Sequence, residues 1–241
     1  MNYRTPIPAR TRTRTTDHVL ELRGISKRFG AVRALSEVDL DVYGGEVVAI
    51  VGDNGAGKST LVKILSGVHP QDSGTIKFEG TAVSIPTPTA ARDLGIETVY
   101  QDLSLCDNLD VVSNLWLGRE LRTGGRLDEV EMEQRSWMLL RELSARIPSV
   151  RVPVAALSGG QRQTVAIARS LIGNPRVVIL DEPTAALGVA QTAEVLNLIQ
   201  ELKRQGVAVV LISHRMPDVF AVADRIVVLR RGSKVAEMKE T

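Results

Sequence analysis

The sequence predicts an α/β fold with a parallel-sheet core, an N-terminal antiparallel β layer and an inserted α-helical lobe. Three observations carry that prediction. Residues 47–51, 177–180 and 207–212 are short continuous apolar runs rich in Val and Ile, the pattern of strands covered on both faces. Val38, Leu40 and Val42 alternate with Asp39 and Asp41, as a half-buried antiparallel strand does. Between the first two runs, residues 103–156 hold a helical stretch with its own start and stop signals.

At 241 residues the chain is long enough to bury a substantial core, as one large domain or a core with a small second lobe. Its 30 basic and 28 acidic residues leave a formal charge of +2, which argues against a surface that coats nucleic acid. The basic excess is local. Arg4, Arg10, Arg12 and Arg14 stand in a Thr- and Pro-rich start, residues 1–17, with no acidic residue before Asp17. That composition reads as a disordered, solvated tail. Contact with anionic lipid, worth about 1 kcal/mol per basic residue near the surface, is the alternative, and the amphipathic face of a transit peptide is missing. The single cysteine, Cys106, leaves no intrachain disulfide or cysteine cage for a metal and fits a reducing cytoplasm. No run approaches the roughly 18 apolar residues of a spanning helix, so any membrane role is expected to be peripheral.

In chain order, Val19, Leu20 and Leu22 begin the antiparallel layer. Phe29 follows in a chain with only 3% aromatic residues; alone it suits core packing, although an aromatic face there would also stack on a purine. The run 47–51 feeds into Gly52, Asp53, Asn54, Gly55, Ala56, Gly57, Lys58, Ser59 and Thr60, a G-x-x-x-x-G-K-S phosphate-binding loop. Its glycines allow a tight turn that offers N–H groups to phosphate oxygens, and the helix expected from Ser59 to Leu65 points its positive end at the same anion. Lys58 adds a point charge and Ser59 a hydroxyl for Mg²⁺.

Residues 75–79 and 95–100 read as strands joined by a connection around Pro86 and Pro88, and Gln101 follows the second strand. A helix is expected over 128–147, with Asp128 and Glu131 as a capping box, Leu140, Leu143 and Ile147 on one face and Pro148 as the stop. Ser158 is the candidate cap of the next helix, in Leu157, Ser158, Gly159, Gly160, Gln161, Arg162 and Gln163, another anion-friendly helix start. The apolar run 177–180 ends in Asp181 and Glu182, adjacent carboxylates suited to holding Mg²⁺ and activating water. A helix over 189–205, ended by Gly206, leads to the run 207–212, with His214 just beyond it at the edge where α/β sheets bind ligands. Residues 225–229 and 234–237 read as a terminal hairpin. There is no internal repeat, hence a single nucleotide-binding core.

Phe29, the loop 52–59, Gln101, the LSGGQRQ stretch 157–163, the VVILDE stretch 177–182 and His214, in this order, resemble the ATP-binding cassette of ABC ATPases, a P-loop NTPase, over about residues 19–237. The LSGGQ stretch discriminates, since other phosphate-loop families lack it, and the N-K-x-D guanine motif of GTPases is missing. The resemblance implies that Phe29 stacks on adenine, that residues 52–60 hold the phosphates, and that Ser59, Gln101 and Asp181 surround Mg²⁺. It further implies a catalytic set of Glu182 as base or water-positioning carboxylate, His214 at the γ-phosphate and Gln101. Ser158, Gly159, Gly160 and Gln161 would complete the ATP site of a second cassette, in a homodimer or a paired assembly.

Residues 107–120, 182–191 and 212–232 look like the simple-sugar (ribose, xylose and fructose type) importer ATPases of bacteria. The implied partners are transmembrane permease subunits and, indirectly, a periplasmic sugar-binding protein, with no nucleic acid; the implied place is peripheral, on the cytoplasmic face of the inner membrane. Residues 103–117, with Trp116, are the expected docking groove for the permease. A soluble ABC ATPase of translation or DNA maintenance, an importer ATPase for another solute, and a nucleotide sensor without turnover are the alternatives. The first usually shows tandem cassettes or a long coiled coil, and Glu182 and His214 argue against the last. Gly188 stands where most cassettes carry Asp, which implies altered coupling between sites. Many simple-sugar importers also fuse two cassettes in one chain.

Overall fold

The computed structural model describes residues 18–239, so the Arg-rich start lies outside the described residues. Strands β1 (His18–Phe29) and β2 (Val32–Tyr43) form a long antiparallel pair. β3 (Val47–Val51) follows and leads through the glycine loop into α1 (Lys58–Leu65). Then come β4 (Ser73–Phe78), β5 (Thr81–Val83), α2 (Pro88–Asp93) and β6 (Ile96–Val99). The lobe contains α3 (Val111–Trp116), a small hairpin of β7 (Arg122–Thr123) and β8 (Arg126–Leu127), and α4 (Glu129–Glu142). The chain returns through α5 (Gly159–Leu171), β9 (Val177–Asp181), α6 (Val189–Arg204), β10 (Ala208–Ile212) and α7 (Met216–Val222), and ends in β11 (Arg225–Arg230) and β12 (Ser233–Lys239).

One six-stranded sheet, in the order β12-β11-β3-β10-β9-β6, is parallel except for β12. A four-stranded antiparallel sheet, β2-β1-β4-β5, covers one of its faces. The period of two sorts the core strands between two apolar layers. Val47, Ala49 and Val51 pack with the helical lobe and α5, α6 and α7, whereas Val48 and Ile50 pack with the antiparallel sheet and α1. Both faces being covered explains why β3, β9 and β10 read as unbroken apolar runs.

Three segments differ from their sequence expectation. The helix expected to reach residue 147 ends at Glu142, with Ser144 in the left-handed region at φ 52°. Leu143 and Ile147 are still buried, so their apolar spacing reports a covered turn and not a continued helix. The stretch around Pro86 and Pro88 holds α2, where Thr87 Oγ1 accepts from the Ala90 N–H at 3.2 Å and Pro88 occupies the first helical turn. Trp116, expected at a docking surface, is a core residue. It is 5% exposed, and its indole N–H points to Met132 O at 3.1 Å and Ser136 Oγ at 3.0 Å, tying α3 to α4. Asn114, fully buried, likewise ties down the preceding loop through Cys106 N–H, 2.7 Å from its Oδ1, and Cys106 O, 3.0 Å from its Nδ2.

Candidate nucleotide-binding site

The phosphate loop sits on the central strand β3 and is shaped by backbone that only glycine adopts freely. Gly52, Gly55 and Gly57 have φ of 149°, 79° and 106°. Space matters as much as conformation. A Cβ on Gly52 would lie 2.2 Å from Leu229 O, and one on Gly57 would lie 2.7 Å from Ala34 O. The loop is braced by the β11–β12 turn, where the Gly232 N–H donates to Ala56 O at 2.9 Å. Lys58 Nζ donates to Gly52 O at 2.5 Å and Asp53 O at 3.1 Å, which places an ammonium inside the loop's curve. Asp53, Asn54, Gly55 and Ser59 are exposed.

Because β3, β10 and β9 are adjacent and parallel, the segments that leave their carboxyl ends are neighbours. β3 delivers the phosphate loop, β9 delivers Asp181 and Glu182, and β10 delivers His214. Glu182 has a φ of 52°, uncommon for a residue with a Cβ, and its N–H donates to Ile212 O at 2.9 Å. Its solvent-excluded Oε2 lies 2.8 Å from His214 Nδ1 without an aligned hydrogen bond. Burial pushes the Asp181 carboxyl above its ordinary range, and the Glu182 charge adds to the rise while Lys58 and Lys63 oppose it. Gln101 is exposed just past β6, the strand beside β9.

Phe29 is at the end of β1 and 45% exposed, so the core-packing reading of it does not hold. His69 meets it edge-on with ring centroids 5.3 Å apart, and Lys27 Nζ is 5.6 Å from its centre. On the far side of the sheet, Ser158 caps α5 in a complete capping box: its side chain accepts from the Gln161 N–H at 3.2 Å while its own N–H donates to Gln161 Oε1 at 3.0 Å. Ser158 and Gly159 are exposed and Gly160 is buried against α6. The helix after the phosphate loop packs in one apolar layer and α5 packs in the other.

A family model described as ABC transporter matches residues 35–185. The chain belongs to the ABC transporter family. Among its relatives, the xylose/arabinose import ATP-binding protein XylG of Sulfolobus acidocaldarius is 46% identical over 222 residues, covering 92% of this chain and 88% of that one. The fructose import ATP-binding protein FrcA of Rhizobium meliloti is 47% identical, with 90% and 86% covered. The ribose import ATP-binding protein RbsA of Clostridium perfringens is 41% identical over 92% of this chain, which spans 45% of that protein. Among solved structures, an ATP-binding cassette of an ABC transporter in its ADP conformation superposes with a TM-score of 0.83 at 29% identity, covering 93% of this chain and 92% of that one. A dimeric, post-hydrolysis cassette bound to ADP and Pi has a TM-score of 0.76 at 26% identity, with 91% and 98% covered.

The cassette also holds site neighbours that motif reading does not find. His69 has no motif around it, and its place beside Phe29 is set by the turn after α1. Gly232 is legible in sequence only as a hairpin glycine, although its N–H fastens the phosphate loop.

Proposed function

We propose that this ABC ATPase is the energy-coupling subunit of a monosaccharide importer, acting as one half of a cassette dimer on the cytoplasmic face of the membrane. The carrying observation is that the phosphate loop, Asp181 with Glu182, and His214 leave adjacent parallel strands at one sheet edge. ATP is the substrate. The N–H groups of residues 52–60 and the Lys58 ammonium bind its phosphates, and Phe29 takes the adenine ring. Ser59, Gln101 and Asp181 offer hydroxyl, amide and carboxylate oxygens, a hard donor set that fits Mg²⁺, and a half-buried carboxylate beside a second one is relieved by a cation. That ion would supply charge neutralisation on the phosphate oxygens. Glu182 accepts the proton of the attacking water as its oxygen bonds to the γ-phosphorus and the bond to the bridging oxygen of ADP breaks. His214 stands beside the Glu182 carboxylate and reaches the γ-phosphate.

The phosphate-loop helix and the capped end of α5 pack on opposite faces of the sheet, which supports a site completed by the Ser158–Gln161 segment of a second cassette. Translocation is assigned to separate permease subunits, and among the described residues no helix is long and apolar enough to cross a membrane. Monosaccharide uptake is supported by the sugars named for the 41–47% identical relatives. The test is Glu182→Gln in the full chain. The expected outcome is ATP-stabilised dimers on size exclusion with phosphate release at least about 100-fold slower; turnover like the wild type would remove Glu182 from the chemistry.

A further inference from the structure

Helices α5 and α6 pack side by side, and their N-termini share a local device. The Ser158 N–H donates to Gln161 Oε1 at 3.0 Å, and the Gly188 N–H donates to Gln191 Oε1 at 3.3 Å. The two glutamines then diverge. Gln161 turns toward the lobe, where its amide donates to Arg146 O at 3.0 Å. Gln191 faces α5: a Cβ on Gly160 would stand 2.9 Å from its Cβ and 3.1 Å from its Cγ, and one on Gly159 would stand 3.7 Å from its Oε1. Leu187 closes the same contact, 3.1 Å from the Cβ position of Gly159. Gly160 is thus a glycine because Gln191 fills the space beside it, and Gln191 joins the exposed Ser158–Gly159 turn to the Gly188 turn.

Behind Gly188 the chain winds back to Glu182 through short bonds. The Leu187 N–H donates to Thr184 O at 3.3 Å and the Ala185 N–H to Glu182 O at 3.1 Å. Thr184, 1% exposed, donates its hydroxyl to Asp218 Oδ2 at 2.6 Å and anchors the middle of the turn. A shift at Gly188 therefore reaches the backbone of Glu182.

We infer that Gln191 is a positioning residue that couples the two ATP sites of the dimer. When the Ser158–Gly160 backbone closes on the partner's γ-phosphate, α5 moves at its N-terminus, Gly160 carries Gln191 with it, and the Gly188 turn resets Glu182 of the same chain. Side-chain length and the acceptor on Gln191 are both required: the first packs on Gly160, the second holds the Gly188 N–H. This rests on the two-cassette reading above, and Gln191 itself touches no nucleotide.

The experiment compares wild type, Gln191→Ala and Gln191→Glu as full chains. Steady-state ATPase gives kcat and the Hill coefficient, and titration of a fluorescent ATP analogue at protein concentrations that keep the chain monomeric gives Kd. Gln191→Ala is expected to bring the Hill coefficient to about 1 and lower kcat about fivefold or more, the scale of a typical coupling energy, with Kd within about twofold. Gln191→Glu, which keeps length and acceptor, is expected to retain both. A cooperative Gln191→Ala, a Gln191→Ala that loses nucleotide affinity as well, or a Gln191→Glu as impaired as the alanine variant would each overturn the role of Gln191. A wild type with a Hill coefficient of 1 would overturn the two-site reading itself.

Discussion

Replacing Phe29 with Ala separates adenine stacking from packing, because the ring stands at the surface. It is 45% exposed, and the ring contacts found for it are His69 at 5.3 Å and Lys27 Nζ at 5.6 Å. An aromatic pair contributes about 0.5–1.5 kcal/mol and an exposed cation–π contact about 0.5–1 kcal/mol, and half exposure puts the total cost to the fold near the low end, about 1 kcal/mol. For a chain of this length that lowers Tm by about 2–4 °C. Stacking on a base is worth about 1–3 kcal/mol, which corresponds to about 5- to 150-fold in Kd. Isothermal titration of ATP and ADP into wild type, Phe29→Ala and Phe29→Trp, with parallel thermal melts, measures both quantities. ATP and ADP should weaken equally in Phe29→Ala, since their phosphates meet the untouched glycine loop, and Phe29→Trp should recover the affinity. A Phe29→Ala affinity within about twofold of wild type would refute the stacking role, since that is below the smallest stacking contribution expected.

Two further predictions concern the hairpin that braces the phosphate loop. Arg225 is 3% exposed, donates to both Glu46 oxygens at 2.8 and 3.0 Å and to Glu237 Oε1 at 2.8 Å, and also reaches the Asp41 carbonyl. Arg225→Ala leaves Glu46, 4% exposed, without its cation and should cost about 3–5 kcal/mol in urea unfolding, whereas Arg225→Met with Glu46→Leu should recover most of it; a single-variant loss below about 1 kcal/mol would contradict the network. Burial alone would raise the Glu237 carboxyl, but Arg225 and Lys234 hold it below its ordinary range. A depressed carboxylate contributes stability above its unfolded value, about pH 4.3, that is lost as pH falls through the folded value. Glu237→Gln should therefore flatten the loss of Tm on acidification below that pH, and an acid limb as steep as wild type would count against the Arg225–Glu237 pair.

The parts of the cassette that can be read along the chain are those whose physics is local. A glycine loop needs positive φ at Gly55 and Gly57, a strand buried on both faces needs an unbroken apolar run, and a capped helix needs Ser158 with Gln161 three residues on; each leaves its mark within a few positions. What escapes is set by layers. Leu143 and Ile147 keep helical spacing because a covered turn and a helix place apolar residues on the same side, so the end of α4 is invisible without Ser144 and its left-handed backbone. Trp116 looks like surface equipment of a docking groove until α4 is folded over it. Gln191 is the sharpest case. A Gln in the first turn of a helix is ordinary, and only the sheet that brings α5 against α6 makes it the reason Gly160 has no side chain. The same layering bears on the proposed unit of function: the helix after the phosphate loop packs in one apolar layer and α5 in the other, and if the Ser158 turn completes an ATP site as proposed, two copies facing each other are the simplest arrangement that brings it onto a phosphate loop.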